Sequence, residues 1–182
     1  TKDAVNEVIT LIDAAKIPLL LDADGLKAFA ESKKKISIPL VLTPHAGEYK
    51  ILTGELPTNL KKRSEHVRKT AQELGATILL KGNVDIISDG NRVKLNFTGN
   101  PGMTVGGTGD VLSGIVGAFL AQKADPFEAA VAGAFINGAA GDFVKSEKGY
   151  HMVPTDIVDW IPRVMDNPMS HLKVRKSVPE RS

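Results

Sequence analysis

The stretch Asn100-Pro101-Gly102-Met103-Thr104-Val105-Gly106-Gly107-Thr108-Gly109-Asp110-Val111-Leu112-Ser113-Gly114 constrains this chain more than any other. Four glycines precede one acidic residue, and the apolar run Val111 to Leu120 follows at once. Glycine frees the backbone to take positive φ and to approach a ligand closely. The periodic run behind it reads as a helix whose N-terminus opens into the loop. Free N–H groups and the positive end of the helix dipole make such a junction a site for an anion, phosphate above all. Asp110 stands where that anion would end. Capping of the helix is its plain structural role, and a capping carboxylate is also oriented for chemistry.

Around this junction short apolar runs alternate with helical patterns. Val5, Val8, Ile9 and Ile12 recur at helical spacing as far as Lys16-Ile17-Pro18. Leu19-Leu20-Leu21 is too short for a helix and reads as a buried parallel strand ending at Asp22-Ala23-Asp24-Gly25. A helix around Leu26 to Ser32 and a strand from Pro39 to Thr43 follow, then helices over Glu48 to Leu52 and Ser64 to Leu74, closed by Gly54 and Gly75. Thr77 to Leu80 reads as a third strand, and Val84 to Ser88 with Arg92 to Phe97 as a hairpin about the turn Ser88-Asp89-Gly90-Asn91. Asp125-Pro126 caps a small-residue helix from Phe127 to about Lys145, whose Ala and Gly content points to close packing within or between subunits and so to a homo-oligomer. Pro154-Thr155-Asp156 starts a last helix through Met165. The alternation predicts an α/β fold over residues 1–166, a three-layer α/β/α sandwich with a mostly parallel sheet and an antiparallel hairpin portion. Residues 167–182, with scattered charges and Pro179, read as a poorly ordered tail.

Ligands of such sheets bind at the carboxyl ends of the strands. The polar clusters fall there: Asp22 and Asp24, Thr43-Pro44-His45, Lys81-Gly82-Asn83, and the glycine loop. No Lys-Ser/Thr pair follows the glycines, and their spacing departs from the dinucleotide pattern, so neither common nucleotide fingerprint applies. Lys81 ends an apolar strand, where its ammonium either meets phosphate or stays in water; local sequence favours neither. Asp22 and Asp24 bracket one residue, so on an extended strand both side chains point to one side, a geometry suited to magnesium-bound water or a substrate hydroxyl. His45 has no second His at metal-ligand spacing, which argues against zinc, and the chain lacks the Gly-x-Ser-x-Gly elbow of serine nucleophiles.

Bulk properties narrow the classes further. With 182 residues, 42% hydrophobic and 24% charged, the chain has the composition of one globular domain. Its 23 basic and 21 acidic residues give a net charge of +2, too weak a field to indicate nucleic acid. Lys33-Lys34-Lys35 and Lys61-Lys62-Arg63 read as solvated surface. The absence of cysteine excludes disulfides, thiolate metal sites and a cysteine nucleophile. No apolar run reaches membrane-spanning length and no signal peptide opens the chain, so no membrane partner and a cytoplasmic location are expected. The start at Thr1, without Met and with a helix under way, reads as a fragment or a processed product.

Thr43-Pro44-His45-Ala46-Gly47-Glu48, Leu80-Lys81-Gly82 and Asn100 through Gly114, in this order, resemble the ADP- or ATP-dependent NAD(P)H-hydrate dehydratases of the ribokinase-like superfamily. The likeness runs from Asp22 to near Trp160. Vitamin kinases such as hydroxyethylthiazole kinase resemble the loop too, but usually carry Cys where this chain has Asp110. The resemblance implies a repair lyase that returns the hydrated form of NADH or NADPH to the working cofactor. ADP or ATP phosphorylates the substrate hydroxyl and phosphate then leaves. It implies Mg2+ as cofactor and Asp110 as the base. Nucleotide would be bordered by Lys81, Gly82, Asn83, Val84 and Asp85, with Asn100, Gly102, Met103, Thr104, Gly106, Gly107, Thr108 and Gly109. The hydrated nicotinamide would be bordered by His45, Gly47, Glu48 and Asp110, with Asp22 and Asp24 as the counterpart of the family's Asp-Ala-Asp segment. Family domains begin with further strands and a glycine-rich substrate loop ahead of the position of Thr1. The resemblance therefore implies the C-terminal part of a longer domain, with an N-terminal epimerase portion in a two-domain protein. A small-alcohol or vitamin kinase on the same scaffold, and a nucleotide-binding fragment without catalysis, are the alternative readings.

Overall fold

The strands are runs of large apolar residues whose alternate side chains enter two different cores. A computed structural model describes residues 2–32 and 35–175. In chain order it runs α1 (Lys2–Ala14), β1 (Leu19–Leu21), α2 (Ala23–Ser32), β2 (Leu40–Leu42), α3 (Ala46–Thr53), α4 (Leu60–Leu74) and β3 (Thr77–Leu80). The hairpin β4 (Asp85–Ser88) and β5 (Val93–Asn96) follows, then a 3-10 turn (Pro101–Met103), α5 (Thr108–Ala121), α6 (Pro126–Lys148) and α7 (Pro154–Asp166). A second 3-10 turn (Pro168–Ser170) leads into α8 (His171–Arg175).

The five strands lie in sequence order, β1, β2 and β3 parallel, β4 and β5 antiparallel. Leu40 and Leu42, Ile78 and Leu80, and Ile86 enter the core beneath α1 to α4, while Val41, Leu79 and Ile87 enter the one beneath α5 and α6. Both faces are therefore covered, which is the condition for strands without a polar face. This is the expected α/β sandwich with an antiparallel hairpin portion, its five-stranded sheet mixed: β1–β2 and β2–β3 pair parallel, β3–β4 and β4–β5 antiparallel.

Two features of the packing position the site. Beyond the strands, the backbone N–H of Thr43 bonds Leu21 O at 3.1 Å and that of Lys81 bonds Pro44 O at 2.8 Å, so the polar strand ends stay side by side. On α6, a Cβ at Gly138 would fall on Thr98 and one at Gly141 on the Met103 sulfur. These two glycines let the segment after β5 and the glycine loop lie directly on the helix. Asp125 caps α6 as expected, accepting from Phe127 N and Glu128 N at 3.1 Å.

Three expectations need correction. α2 begins at Ala23 rather than near Leu26, so Asp22 and Asp24 do not share one side of a strand; Asp24 lies in the first turn of the helix, its side chain 89% exposed and paired with Lys27 at 2.8 Å. Asp110 does not cap α5: it is the third helical residue, and Gly107 occupies the cap without a side-chain bond. The segment from Asn167 is ordered through Arg175, because His171 is 2% exposed and bonded to Asp142. Such a long-range buried partner leaves no trace in local sequence. Residues 176–182 of the expected tail, and Lys33 and Lys34 of the expected solvated cluster, lie outside the described residues.

Candidate functional site: an open helix terminus over a cavity

The first turn of an α-helix leaves its N–H groups without intrahelical acceptors. In α5 no side chain among the described residues caps them: the cap is Gly107, held at φ 98°, and the hydroxyl of Thr108 turns back to donate to Met103 O at 2.7 Å. The loop is braced from its other end as well. Asn100 Oδ1 accepts from Gly102 N at 3.0 Å and its Nδ2 donates to Gly141 O on α6 at 3.0 Å. The donors of the terminus are thus fixed in place and free for a ligand anion. Asp110 follows Gly109 on this turn, exposed to solvent.

Lys81 enters from the end of β3. Its Nζ donates to Asp22 Oδ1 at 2.9 Å and Oδ2 at 3.1 Å, and Ser113 of α5 donates to Asp22 Oδ2 at 3.1 Å. A Cβ at Gly109 would sit 3.5 Å from the Lys81 ammonium, so the cation rests against the open terminus. Asp22 thus holds Lys81, whereas Asp24 takes no part.

At the neighbouring terminus, His45 Nδ1 accepts from Gly47 N at 2.9 Å and Glu48 N at 3.3 Å, while Glu48 Oε2 accepts from His45 N at 2.8 Å. This is a reciprocal capping box with His in place of Ser or Thr. Because Nδ1 accepts, a neutral His45 carries its proton on Nε2. Glu48 is buried by this arrangement, Gly47 is exposed beside it, and His45 reaches the cavity.

The cavity, about 640 Å³, lies between the loop, α6 and the ends of β3 and β5. It gathers Lys81, Gly82, Asn83, Asp85, Asn100, Met103, Thr104, Thr108 and Gly109 from the expected nucleotide set, together with His45. Val84, Gly106 and Gly107 do not line it, and Gly102 instead borders a shallower hollow of about 320 Å³ beside Tyr150. Pro101 and Val105, within the expected stretch from Asn100 to Gly109, line the cavity too; sequence reasoning missed Thr98, Gly99 and Leu112, and also Ala134, Asn137 and Gly138 on α6. The small residues of α6 signalled close packing; which of them would face a cavity depends on the crossing of the helix over the sheet.

Asp85 closes the far side. Burial pushes its carboxyl above the ordinary carboxylate range, offset in part by Asn96 Nδ2 at 2.9 Å, Gly82 N at 3.0 Å and the Lys81 charge. Asn96 in turn bonds Ala134 O and accepts from Thr98, tying β5 to α6 behind the cavity.

Known proteins resemble this chain in sequence and fold. The family model described as NAD(P)H-hydrate dehydratase matches residues 1–163. The bifunctional NAD(P)H-hydrate repair enzyme Nnr of Pyrobaculum aerophilum is 49% identical over 166 residues, covering 91% of this chain and 32% of that protein. The ADP-dependent (S)-NAD(P)H-hydrate dehydratase of Cenarchaeum symbiosum is 52% identical over 126 residues, 69% of this chain and 44% of that one. The ADP/ATP-dependent NAD(P)H-hydrate dehydratase of Bacillus subtilis, co-crystallised with ATP and Mg2+, superposes with a TM-score of 0.80 at 33% identity, over 90% of this chain and 60% of that chain. The chain therefore spans only part of these relatives. With a family model that takes in nearly its whole length, it belongs to the NAD(P)H-hydrate dehydratase family of ribokinase-like fold.

Proposed function

We propose that this chain carries the nucleotide half of an ADP- or ATP-dependent dehydratase that returns NAD(P)H hydrate to NAD(P)H. The observation that carries the reading is the uncapped N-terminus of α5, which opens on a cavity large enough for a nucleotide with Lys81 already at its rim. Phosphates would take the free N–H groups of the first turn, and the Lys81 ammonium would exchange Asp22 for a phosphate oxygen. Asp110 is exposed on the same turn and outside the cavity lining, where a second substrate would have access to it. Its carboxylate accepts the proton of the hydrate's hydroxyl as that oxygen bonds to the terminal phosphorus and the shortened nucleotide leaves. Phosphate then departs from carbon while the neighbouring carbon loses a proton, and the ring double bond returns.

The residues fit a magnesium ion held mainly by nucleotide phosphates. Among the described residues no three His or acidic side chains gather as a metal cage, and Asp110 and Asp22 are the carboxylates at this end of α5. Bound there, the ion would neutralise phosphate charge. His45, on the cavity wall, is proposed to border the nicotinamide.

The test uses the complete protein, since the solved relative extends well beyond this chain. Incubation with NADPH hydrate, ADP and Mg2+ should restore the NADPH absorbance band. Asp110→Asn should keep ADP binding and lose turnover by about two to four orders of magnitude. Full turnover by that variant would remove Asp110 as the base.

A further inference from the structure

Asp142, on α6, is the point where the glycine loop, the long helix and the C-terminal segment meet. Its Oδ2 accepts from Gly99 N at 3.0 Å and its Oδ1 from Asn100 Nδ2 at 3.0 Å. Asn100 then holds Gly102 N through Oδ1. Gly99, Asn100 and Pro101 all line the large cavity, so Asp142 fixes the stretch of backbone from which the anion loop departs. A half-buried carboxylate carrying two neutral donors is short of compensation for its charge. The remaining donor comes from 29 residues along the chain: His171 Nε2 lies 2.9 Å from Asp142 Oδ2. The His171 ring is 2% exposed and packed edge-on against Phe135 and Phe143. These two rings fix the plane in which Nε2 meets the carboxylate.

We infer that His171 is a positioning residue for the nucleotide site, holding Asp142 in the rotamer that sets Gly99 and Asn100 and hence the loop that receives the phosphates. The inference rests on the nucleotide reading above and extends it to a segment that touches no part of the cavity. Without His171, Asp142 either turns toward other donors or draws in water, and in both cases the Gly99 and Asn100 contacts change. The first turn of α5 keeps its geometry, but the loop leading to it loses its anchor. Nucleotide affinity is then the quantity that changes, ahead of the chemical step.

Glutamine and asparagine separate positioning from packing, because the Gln amide nitrogen reaches the place of Nε2 whereas that of Asn stops near Nδ1. The dissociation constant for ADP is measured by calorimetry on the complete protein, with Tm followed in parallel, for His171→Gln, His171→Asn and His171→Leu. Val164→Ala serves as control, since Val164 is buried on α7 in the apolar cluster that Phe135 and Phe143 pack against, has no polar side-chain atom to join the relay, and its truncation loosens the same core. Asn and Leu should weaken ADP binding about tenfold and Gln far less. Val164→Ala should lower Tm and leave the ADP constant in place. Equal ADP affinity in the Gln and Asn variants, or an affinity that tracks Tm across all four, overturns the positioning role while leaving the nucleotide reading intact. Failure of the unsubstituted protein to bind ADP would overturn both.

Discussion

Two strand-to-helix junctions stand beside each other at the carboxyl edge of the sheet, and they dispose of the same backbone groups in opposite ways. The junction into α3 is closed: His45 and Glu48 exchange hydrogen bonds with each other's backbone. The junction into α5 is open: Gly107 brings no side chain, and the one nearby hydroxyl faces back into the loop. A side-chain cap stabilises its helix by about 1 kcal/mol over Ala and by roughly a few tenths over Gly, so leaving α5 to Gly107 forgoes a small stabilisation. The open terminus is also the one with a cavity in front and a lysine alongside. Under the proposed function, the missing acceptors are what a bound phosphate would supply.

Converting the open junction tests this most severely. Lys81→Met removes the cation resting against the N-terminus of α5 and leaves Asp22, 16% exposed, with the Ser113 hydroxyl and the Ala23 N–H as partners. ADP affinity should fall by on the order of thirtyfold, the usual effect of deleting a charged partner in a desolvated contact. Titration calorimetry reads it, and an unchanged constant would mean that phosphate lies elsewhere. Gly107→Ala comes next. A residue with a side chain at φ 98° is strained, and its Cβ would lie 2.8 Å from Pro154 Cγ on α7. A loss of about 1–3 kcal/mol follows from the backbone strain alone. Thermal denaturation should show it as a drop in Tm that saturating ADP does not recover.

The closed junction should respond the other way round. His45→Ala removes the acceptor for Gly47 N and Glu48 N and costs about 1 kcal/mol, a Tm decrease of roughly 2–4 °C for a chain of this size. Unlike Gly107→Ala, it should leave the ADP constant nearly unaltered while raising KM for the hydrate. A larger effect on ADP than on the hydrate would move His45 from the nicotinamide to the nucleotide.

The open junction was legible in the sequence because its signal is local: glycines, a helical run and one acid within a few residues. The strand ends were legible for the same reason, and Lys81, Gly82 and Asn83 lie where the apolar run of β3 stops. What escaped depends on contacts between distant segments. Asp24 looked like the partner of Asp22 because a strand was extrapolated through Ala23, whereas a helix begins there and turns it away. Asn137 and Gly138 face the cavity only because Thr98 crosses α6 at Gly138. His171 was read with a tail because nothing near it in the sequence announces Asp142.

The smallest effects concern two acids, Asp85 on the cavity wall and Asp142 behind the loop residues Gly99 and Asn100, whose responses to pH have opposite sign. For Asp142, burial works to raise the pKa, but hydrogen bonds from His171, Asn100 and Gly99 outweigh it and hold the carboxyl below its ordinary value. Its stabilisation is therefore complete above the unfolded value near 3.9 and is lost as pH falls through the lower folded value. For Asp85 burial wins and the folded value is raised, so its contribution is largest below the unfolded value and is lost as pH climbs through the raised one. Tm measured across pH 3 to 7 should consequently change shape in two ways. Asp142→Asn should remove part of the rise in stability on leaving acid, and Asp85→Asn should remove a component that declines toward neutrality. Both slopes changing in the same direction would show that the two carboxylates share one environment.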